Sequence, residues 1–223
     1  MNKTKSKNNA GFSLLELLIA MVVMLMLLAI VSSLLSGSLS IRARESQKTD
    51  ALSSAQAALN VLSREIQNAG FGIYTGAGGR TASNGIIAAD SDANRLHIRA
   101  NINNTGPTTV PVGSTVISTN KPGEDVTFFY DAPTNSIVRY DPNDTPQTSV
   151  LVNKISLVTF TYFDYSGASS TGTVVATPTN NTGRIRINVT VQLDPVYGQP
   201  NPSSVTFTSD VTLRNSNYML NQY

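Results

Sequence analysis

From Leu17 to Val31 every residue is apolar. With Phe12 to Leu15 before it and the serine-containing stretch to Leu35 after it, the run can cross a bilayer as a helix. A spanning helix needs about 20 such residues. Lys3, Lys5 and Lys7 precede the run and no acid comes before Glu16, so the positive-inside rule predicts a cytoplasmic N-terminus with the rest of the chain on the far side. A secretory signal also joins a basic start to an apolar centre. Here, however, the run exceeds the usual apolar centre, no clean small-x-small cleavage site follows, and a carboxylate stands near its beginning. A plain anchor explains the length but not Glu16. An acid in the middle of a membrane helix costs roughly 2.5–3.5 kcal/mol on insertion scales and persists only where something pairs with it. The helix itself offers no basic partner, and a glutamate lying at the interface with water is the bland alternative.

With this anchor set aside, the remainder of the 223 residues suits one globular domain of ordinary size. Charged residues make up only 13% of the chain. The plentiful Thr, Ser, Asn and Gly fit short strands joined by polar turns in a protein that faces the outside. Of 16 basic and 14 acidic side chains, three of the bases are the early lysines, and without them 13 bases face 14 acids for a net charge of −1. No Lys/Arg block remains to neutralise a phosphate backbone, which argues against nucleic acid as a partner. Cysteine is absent and His97 is the only histidine. Disulfides, thiolate ligands, cysteine nucleophiles, a His-based zinc site and a His-rich relay are thereby excluded within one chain, and no cofactor is expected.

Gly11-Phe12-Ser13-Leu14-Leu15-Glu16, followed by Leu17-Leu18-Ile19-Ala20, resembles the type III signal of type IV pilins and type II secretion pseudopilins. The resemblance implies that a prepilin peptidase cuts between Gly11 and Phe12 on the cytoplasmic face and methylates the new amine of Phe12. It also implies that Glu16, five residues into the mature chain, acts in filament assembly. The free amine at Phe12 would supply the base that Glu16 lacks, because the amine of an incoming subunit can meet Glu16 of its neighbour and set the axial register. Methylation leaves that positive charge in place. The partners so implied are other pilins, the peptidase, a pilus or secretion assembly platform, and the inner membrane before assembly.

Ser32, Ser33, Ser36, Gly37 and Ser38 give way to Arg42, Arg44, Glu45 and Lys48, which marks exit from the bilayer. Gly37 is a place where the helix could bend, since glycine costs about 1 kcal/mol there relative to alanine. The helix is predicted to continue. Leu52, Ala55, Leu59, Leu62, Ile66 and Ala69 recur at three- and four-residue steps, with Arg64, Gln67 and Asn68 on the other side, and Gly70 and Gly72 close it. Beyond residue 90 the period becomes two, at Leu96 to Arg99, Val126 to Asp131, Ile155 to Asp164, Ile185 to Leu193 and Val205 to Leu213. Turns are predicted at Ala132-Pro133-Thr134-Asn135 and Asp141-Pro142-Asn143-Asp144. The fold class is α+β, a long N-terminal helix packed on an antiparallel sheet head. Its divisions are 1–11 leader, 12–35 membrane or filament-core helix, 36–70 amphipathic helix and 71–223 head. A helix ending near Leu62 to Gly70 before a strand-rich head that closes at Val211-Thr212-Leu213-Arg214-Asn215 resembles PilW-type minor pilins and, less closely, GspJ-type pseudopilins. The chain lacks the C-terminal cysteine pair of major pilins of the disulfide-loop kind and the helix-kinking proline many of them carry.

The other candidate sites have plainer readings. Asp90-Ser91-Asp92-Ala93-Asn94 begins like a calcium loop with ligands Asp90, Asp92 and Asn94, but Arg95 stands where glycine is needed and Asn101 where the bidentate glutamate belongs. A turn before the strand at Leu96 is the preferred reading. The run of Gly76, Gly78 and Gly79 reads as a connector, since neither a preceding strand nor a following helix with a Lys-Ser/Thr pair makes it a phosphate loop. Asp164, Asp194 and Asp210 read as solvated turn or surface acids, and His97, between Leu96 and Ile98, as a residue of a strand's wet face. No Gly-x-Ser-x-Gly elbow is present. Asn103, Asn143, Asn180 and Asn188 begin glycosylation triplets of the kind that arise by chance in an Asn/Thr-rich chain. The aromatic cluster around Phe160 reads as core. The composite expectation is a non-enzymatic minor pilin that primes or caps a type IV pilus. The rivals are a pseudopilin of a type II secretion or DNA-uptake filament, a monomeric anchored binding module, and a secreted enzyme behind a removable signal.

Overall fold

The computed structural model describes residues 13–75, 81–103, 119–165, 171–196 and 204–220. Gly11 and Phe12 and the run of Gly76, Gly78 and Gly79 lie outside the described residues. Helix α1 runs Leu14–Gln67, beginning with the Leu17 N–H donating to the Ser13 carbonyl at 3.1 Å. It is uninterrupted at Gly37, where the Ser40 hydroxyl donates to the Gly37 carbonyl at 2.9 Å. The chain divides into two compact units, with α1 in the first as far as Ser46 and in the second from Gln47. Each unit is described by itself.

In the second unit a two-stranded ladder, β1 (Tyr74–Thr75) and β2 (Thr81–Ala82), follows the helix, and then a 3-10 turn at Ala88–Asp90. The first larger sheet contains β3 (Arg95–Arg99), β4 (Asp125–Asp131), β5 (Ser136–Tyr140) and β6 (Thr148–Asn153), paired antiparallel in that order. The second contains β7 (Leu157–Asp164), β8 (Thr173–Val175), β9 (Thr182–Gln192) and β10 (Ser204–Thr212), in the order β10-β9-β7-β8 and also antiparallel. A four-residue helix, α2 (Asn217–Leu220), follows. The α+β class is as the periodicity predicts, but the strands form two sheets where one was expected. The division falls between β6 and β7, where Lys154 adopts a left-handed backbone with φ 62° and redirects the chain.

One apolar core serves both sheets. Ala51, Ala55, Ala58, Leu62 and Ile66 of α1 meet Leu96, Val126, Phe128 and Ile137 of the first sheet and Phe160, Tyr162, Ile185, Ile187 and Val189 of the second. The predicted stripe holds at Ala55, Leu62, Ile66 and Ala69, with Leu59 packed against the core, and departs at its start. Leu52 is 46% exposed, while Ala51 is 5% exposed. Small side chains let a helix backbone approach a sheet closely, so here alanines take the inner positions that side-chain volume assigned to a leucine.

Close backbone contact fixes the end of α1. Gly70 has φ 78° and its N–H donates to the Arg99 carbonyl at 2.8 Å. A Cβ on Gly85 would lie 2.0 Å from the Gly70 nitrogen, so both positions require glycine. Residues 85–87 then run along β3, with the Arg99 N–H donating to the Gly85 carbonyl at 2.7 Å and the Ile87 N–H to the His97 carbonyl at 2.9 Å.

Tyr162 joins the second sheet to the turn before β3. Its hydroxyl donates to the carbonyls of Asp92 at 2.7 Å and Arg95 at 3.2 Å, and beside it the Phe160 N–H donates to the Ala93 carbonyl at 2.7 Å. Burial, with the nearby charge of Asp92 adding to it, holds the Tyr162 phenol above its ordinary value of 10. The folded state therefore resists ionisation, so this contribution is full below about pH 10 and declines as the unfolded chain ionises above it. Tyr162→Phe should lower stability in urea by about 1 kcal/mol and flatten the alkaline loss above pH 10, as read from unfolding curves collected across that range.

Candidate functional site

Glu16 lies in the first turn of α1, exposed, among Leu14, Leu15, Leu17 and Leu18. No other charged residue occurs from Leu14 to Ile41. Along the same stretch every large apolar side chain is at least 43% exposed. This far exceeds the patches a soluble monomer leaves open to water. By length and composition α1 qualifies as a membrane-spanning helix. The helix dipole favours a carboxylate in a first turn, but it does not supply the counter-charge an acid needs in hydrocarbon.

In the head, the acids singled out from sequence are held apart in separate hydrogen-bond networks. Asp92 Oδ1 accepts the N–H groups of Asn94 at 2.7 Å and Arg95 at 2.9 Å, which makes it the side chain that closes the turn before β3. Asp90 instead faces His97, whose Nδ1 lies 3.1 Å from Asp90 Oδ2. Among the described residues no group of three or more His, Cys, Asp or Glu side chains converges as metal ligands would. His97 is not on a wet face. It is 8% exposed, with Nε2 2.5 Å from Asp125 Oδ1, and Asp125 Oδ2 also accepts the Arg99 Nε–H at 2.9 Å. Its burial comes from residues 85–91 folding back along β3, where Ser91 Oγ accepts the His97 backbone N–H at 3.0 Å. With a carboxylate on each ring nitrogen, His97 has no nitrogen left to activate a nucleophile.

Asp164 is likewise buried, at 9% exposed, and accepts the hydroxyls of Thr179 and Thr182 at 2.5 Å each. This corrects its reading as a solvated acid. Asp210 lies on the outer face of the second sheet, where Arg186 donates to both its oxygens at 2.7 and 3.0 Å. The Arg186 hydrogen bond holds the Asp210 carboxyl below the usual carboxylate range. Asp194 lines a separate cleft of about 370 Å³ with Asp50, Lys154 and Gln192. Of the triplet asparagines, Asn188 sits on β9 with its amide bonded to Thr159 and Thr208. Phe160 and Tyr162 are core as expected, and Phe163 on the other face of β7 is also buried, at 7% exposed, under the Arg184 guanidinium at 4.0 Å.

Sequence reasoning missed the most connected polar group of the head. Arg139 on β5 donates through Nε to Glu65 of α1 at 3.0 Å and through Nη2 to Asp141 at 3.1 Å. Asp141 is fully buried and also accepts the N–H groups of Gly123 at 2.6 Å and Asn143 at 2.9 Å. Burial alone would lower the Arg139 guanidinium, but Glu65 and Asp141 outweigh it and raise it, so it stays charged. Glu124, also fully buried, accepts the N–H groups of Asn103 and Lys121, each at 3.1 Å. A cleft of about 210 Å³ lies beside this network, lined by Arg64, Glu65, Asn68, Ile98, Gly123 and Arg139. The available signal was an arginine in a strand pattern, followed within five residues by Asp141 and Asp144. The network fixes the end of α1 to the first sheet and presents no reactive group. Arg139→Met leaves Asp141 buried without its cation and should destabilise the head by about 3–5 kcal/mol in denaturant unfolding, and adding Asp141→Asn should recover part of that loss.

Residues 6–32 match the family model of the prokaryotic N-terminal methylation motif. The matched span covers Gly11, Phe12, Glu16 and the apolar start of α1. It supports a type IV pilin-like protein, anchored in a membrane near its N-terminus and processed by a prepilin peptidase. No curated protein and no solved structure matches the chain.

Proposed function

We propose that this chain is a minor pilin that takes part in priming or capping a type IV pilus after cleavage between Gly11 and Phe12 and N-methylation of Phe12. The observation that carries this reading is the methylation motif over residues 6–32, continuous with a helix whose apolar surface from Leu14 to Ile41 is exposed and interrupted by one acid, Glu16. Before assembly lipid covers that surface, and in a filament the same helices of neighbouring subunits do. Glu16 then meets the amine of an adjoining Phe12, and each charge removes the other's desolvation cost. A structural role without catalysis fits a head in which Asp90, Asp125, Asp164, Asp210 and His97 are engaged in internal bonds. The absence of a cysteine pair points away from major pilins of the disulfide-loop kind. The subunit passes from the inner membrane, N-terminus cytoplasmic, into a filament that crosses the periplasm or reaches the outside.

Glu16→Ala separates this from the anchor and enzyme readings. In cells carrying the assembly machinery, the variant should insert in the membrane at the level of the unaltered chain but enter filaments at least about tenfold less, a loss worth ~1.4 kcal/mol. Equal incorporation of the variant into sheared filaments would contradict the proposal.

A further inference from the structure

His97 is the only histidine of the chain, and its ring touches two carboxylates. Nδ1 lies 3.1 Å from Asp90 Oδ2, in the 3-10 turn Ala88–Asp90, and Nε2 lies 2.5 Å from Asp125 Oδ1 on β4. An ionised carboxylate can only accept, so each contact needs an N–H on the ring. A neutral imidazole has one N–H and an imidazolium has two. Asp125 gives its other oxygen to the Arg99 Nε–H at 2.9 Å, which leaves the ring as the place for both protons.

Charge balance agrees, since two acids, Asp90 and Asp125, then face two bases, Arg99 and a charged His97. Alternation puts Arg95 of β3 on the same face, and Tyr140 of β5 shares it because Thr127 pairs with both His97 and Tyr140. Asp92 is bonded instead to the backbone N–H groups of Asn94 and Arg95. Loss of one ring proton leaves the group with an unmatched negative charge and one N–H for two acids. The Asp125 side chain, 14% exposed, cannot turn to water, whereas that of Asp90, 55% exposed, can. The remaining N–H stays with Asp125, and the lone pair of Nδ1 then repels Asp90.

We propose that His97 is a proton-operated latch. Doubly protonated, it ties Asp90 to β4 and holds residues 88–90 against the first sheet; singly protonated, it lets them go. The bound proton closes the latch, so the segment is held at lower pH and released as pH rises. Little else keeps it in place. Its own backbone bonds run from the Asp90 N–H to the Ile87 carbonyl at 3.1 Å and from the Ser91 N–H to the Ala88 carbonyl at 3.4 Å. Opening is confined at both ends by bonds that do not involve the ring. The Ile87 N–H donates to the His97 carbonyl, Ser91 Oγ accepts the His97 backbone N–H, and the Asp92 N–H donates to the Arg95 carbonyl at 2.8 Å.

The test uses the full chain, labelled with nitrogen-15, in detergent micelles. A single histidine makes the ring signals unambiguous, so NMR reads the proton count of His97 directly. Amide exchange, expressed relative to the unstructured rate at each pH, is followed on the same sample from about pH 5 to 9, which spans the range of protein imidazoles. Both ring nitrogens should carry a proton at the acid end. Protection of the Asp90 and Ser91 amides should fall at least about tenfold over the interval in which the ring loses one proton, while Ile87 and Asp92 stay protected. Asp90→Asn supplies an amide that can pair with the ring in either state, and it should remove the pH response of Asp90 and Ser91 without unfolding the head. The proposal is overturned if the ring holds one proton while these amides are protected, if it keeps both protons across the whole range, or if Asp90→Asn responds to pH as the unaltered chain does. None of these outcomes bears on Glu16, so the latch and the filament role stand or fall separately.

Discussion

The apolar surface of α1 must be kept from water at every stage, and this requirement organises the rest of the molecule. From Leu14 to Ile41 the helix offers lipid or a neighbour nothing but aliphatic side chains, small residues and one carboxylate. Burying such a surface is worth roughly 25 cal/mol per Å² whether lipid or protein covers it, so hydrophobicity keeps the helix out of water without selecting its neighbour. Selection falls to the polar group. Glu16 is tolerable in hydrocarbon only beside a cation, and within the described part of the helix the first base is Arg42, far along the axis. In the filament role proposed above, the amine of an adjoining subunit would supply that cation.

The head meets a different demand, which is to hold the second part of the same helix firmly while leaving little else reactive. Alanines at Ala51, Ala55 and Ala58 bring the backbone close to both sheets, Leu62 and Ile66 fill the core, and Glu65–Arg139–Asp141 joins the end of the helix to β5. A buried ion pair of this kind contributes little net stability over an apolar substitute, but breaking one partner is costly. Its consequence is geometric, because it fixes the rotation of α1 on the sheet. His97 and Asp164 serve similarly, tying residues 85–91 and 179–182 to their strands.

Much of this was legible in the residue pattern. The run of Leu17–Val31 gave the spanning helix, and period-two alternation located β9 and β10 to within three residues at each end. What escaped were features that depend on contacts distant in sequence. Alternation placed His97 on a wet face because it is silent about a neighbouring segment folding back over that face. Volume favoured Leu52 over Ala51 because a hydrophobicity pattern does not register how closely two backbones approach. Arg139 looked like the polar phase of a strand, since its partners arrive from α1 and from the turn after β5. The single expected sheet became two because a left-handed backbone at a lysine, Lys154, has no strong sequence signal.

The central claim is that the chain is a processed filament subunit, and the N-terminal mass tests it most directly. The protein would be expressed in membranes with and without a prepilin peptidase and its terminus measured by mass spectrometry. The account predicts an intact Met1 without the enzyme and, with it, a chain beginning at N-methylated Phe12. A chain that keeps Met1 in the presence of active peptidase, or one cut beyond Leu35, would contradict it and leave a plain anchor or a secreted head.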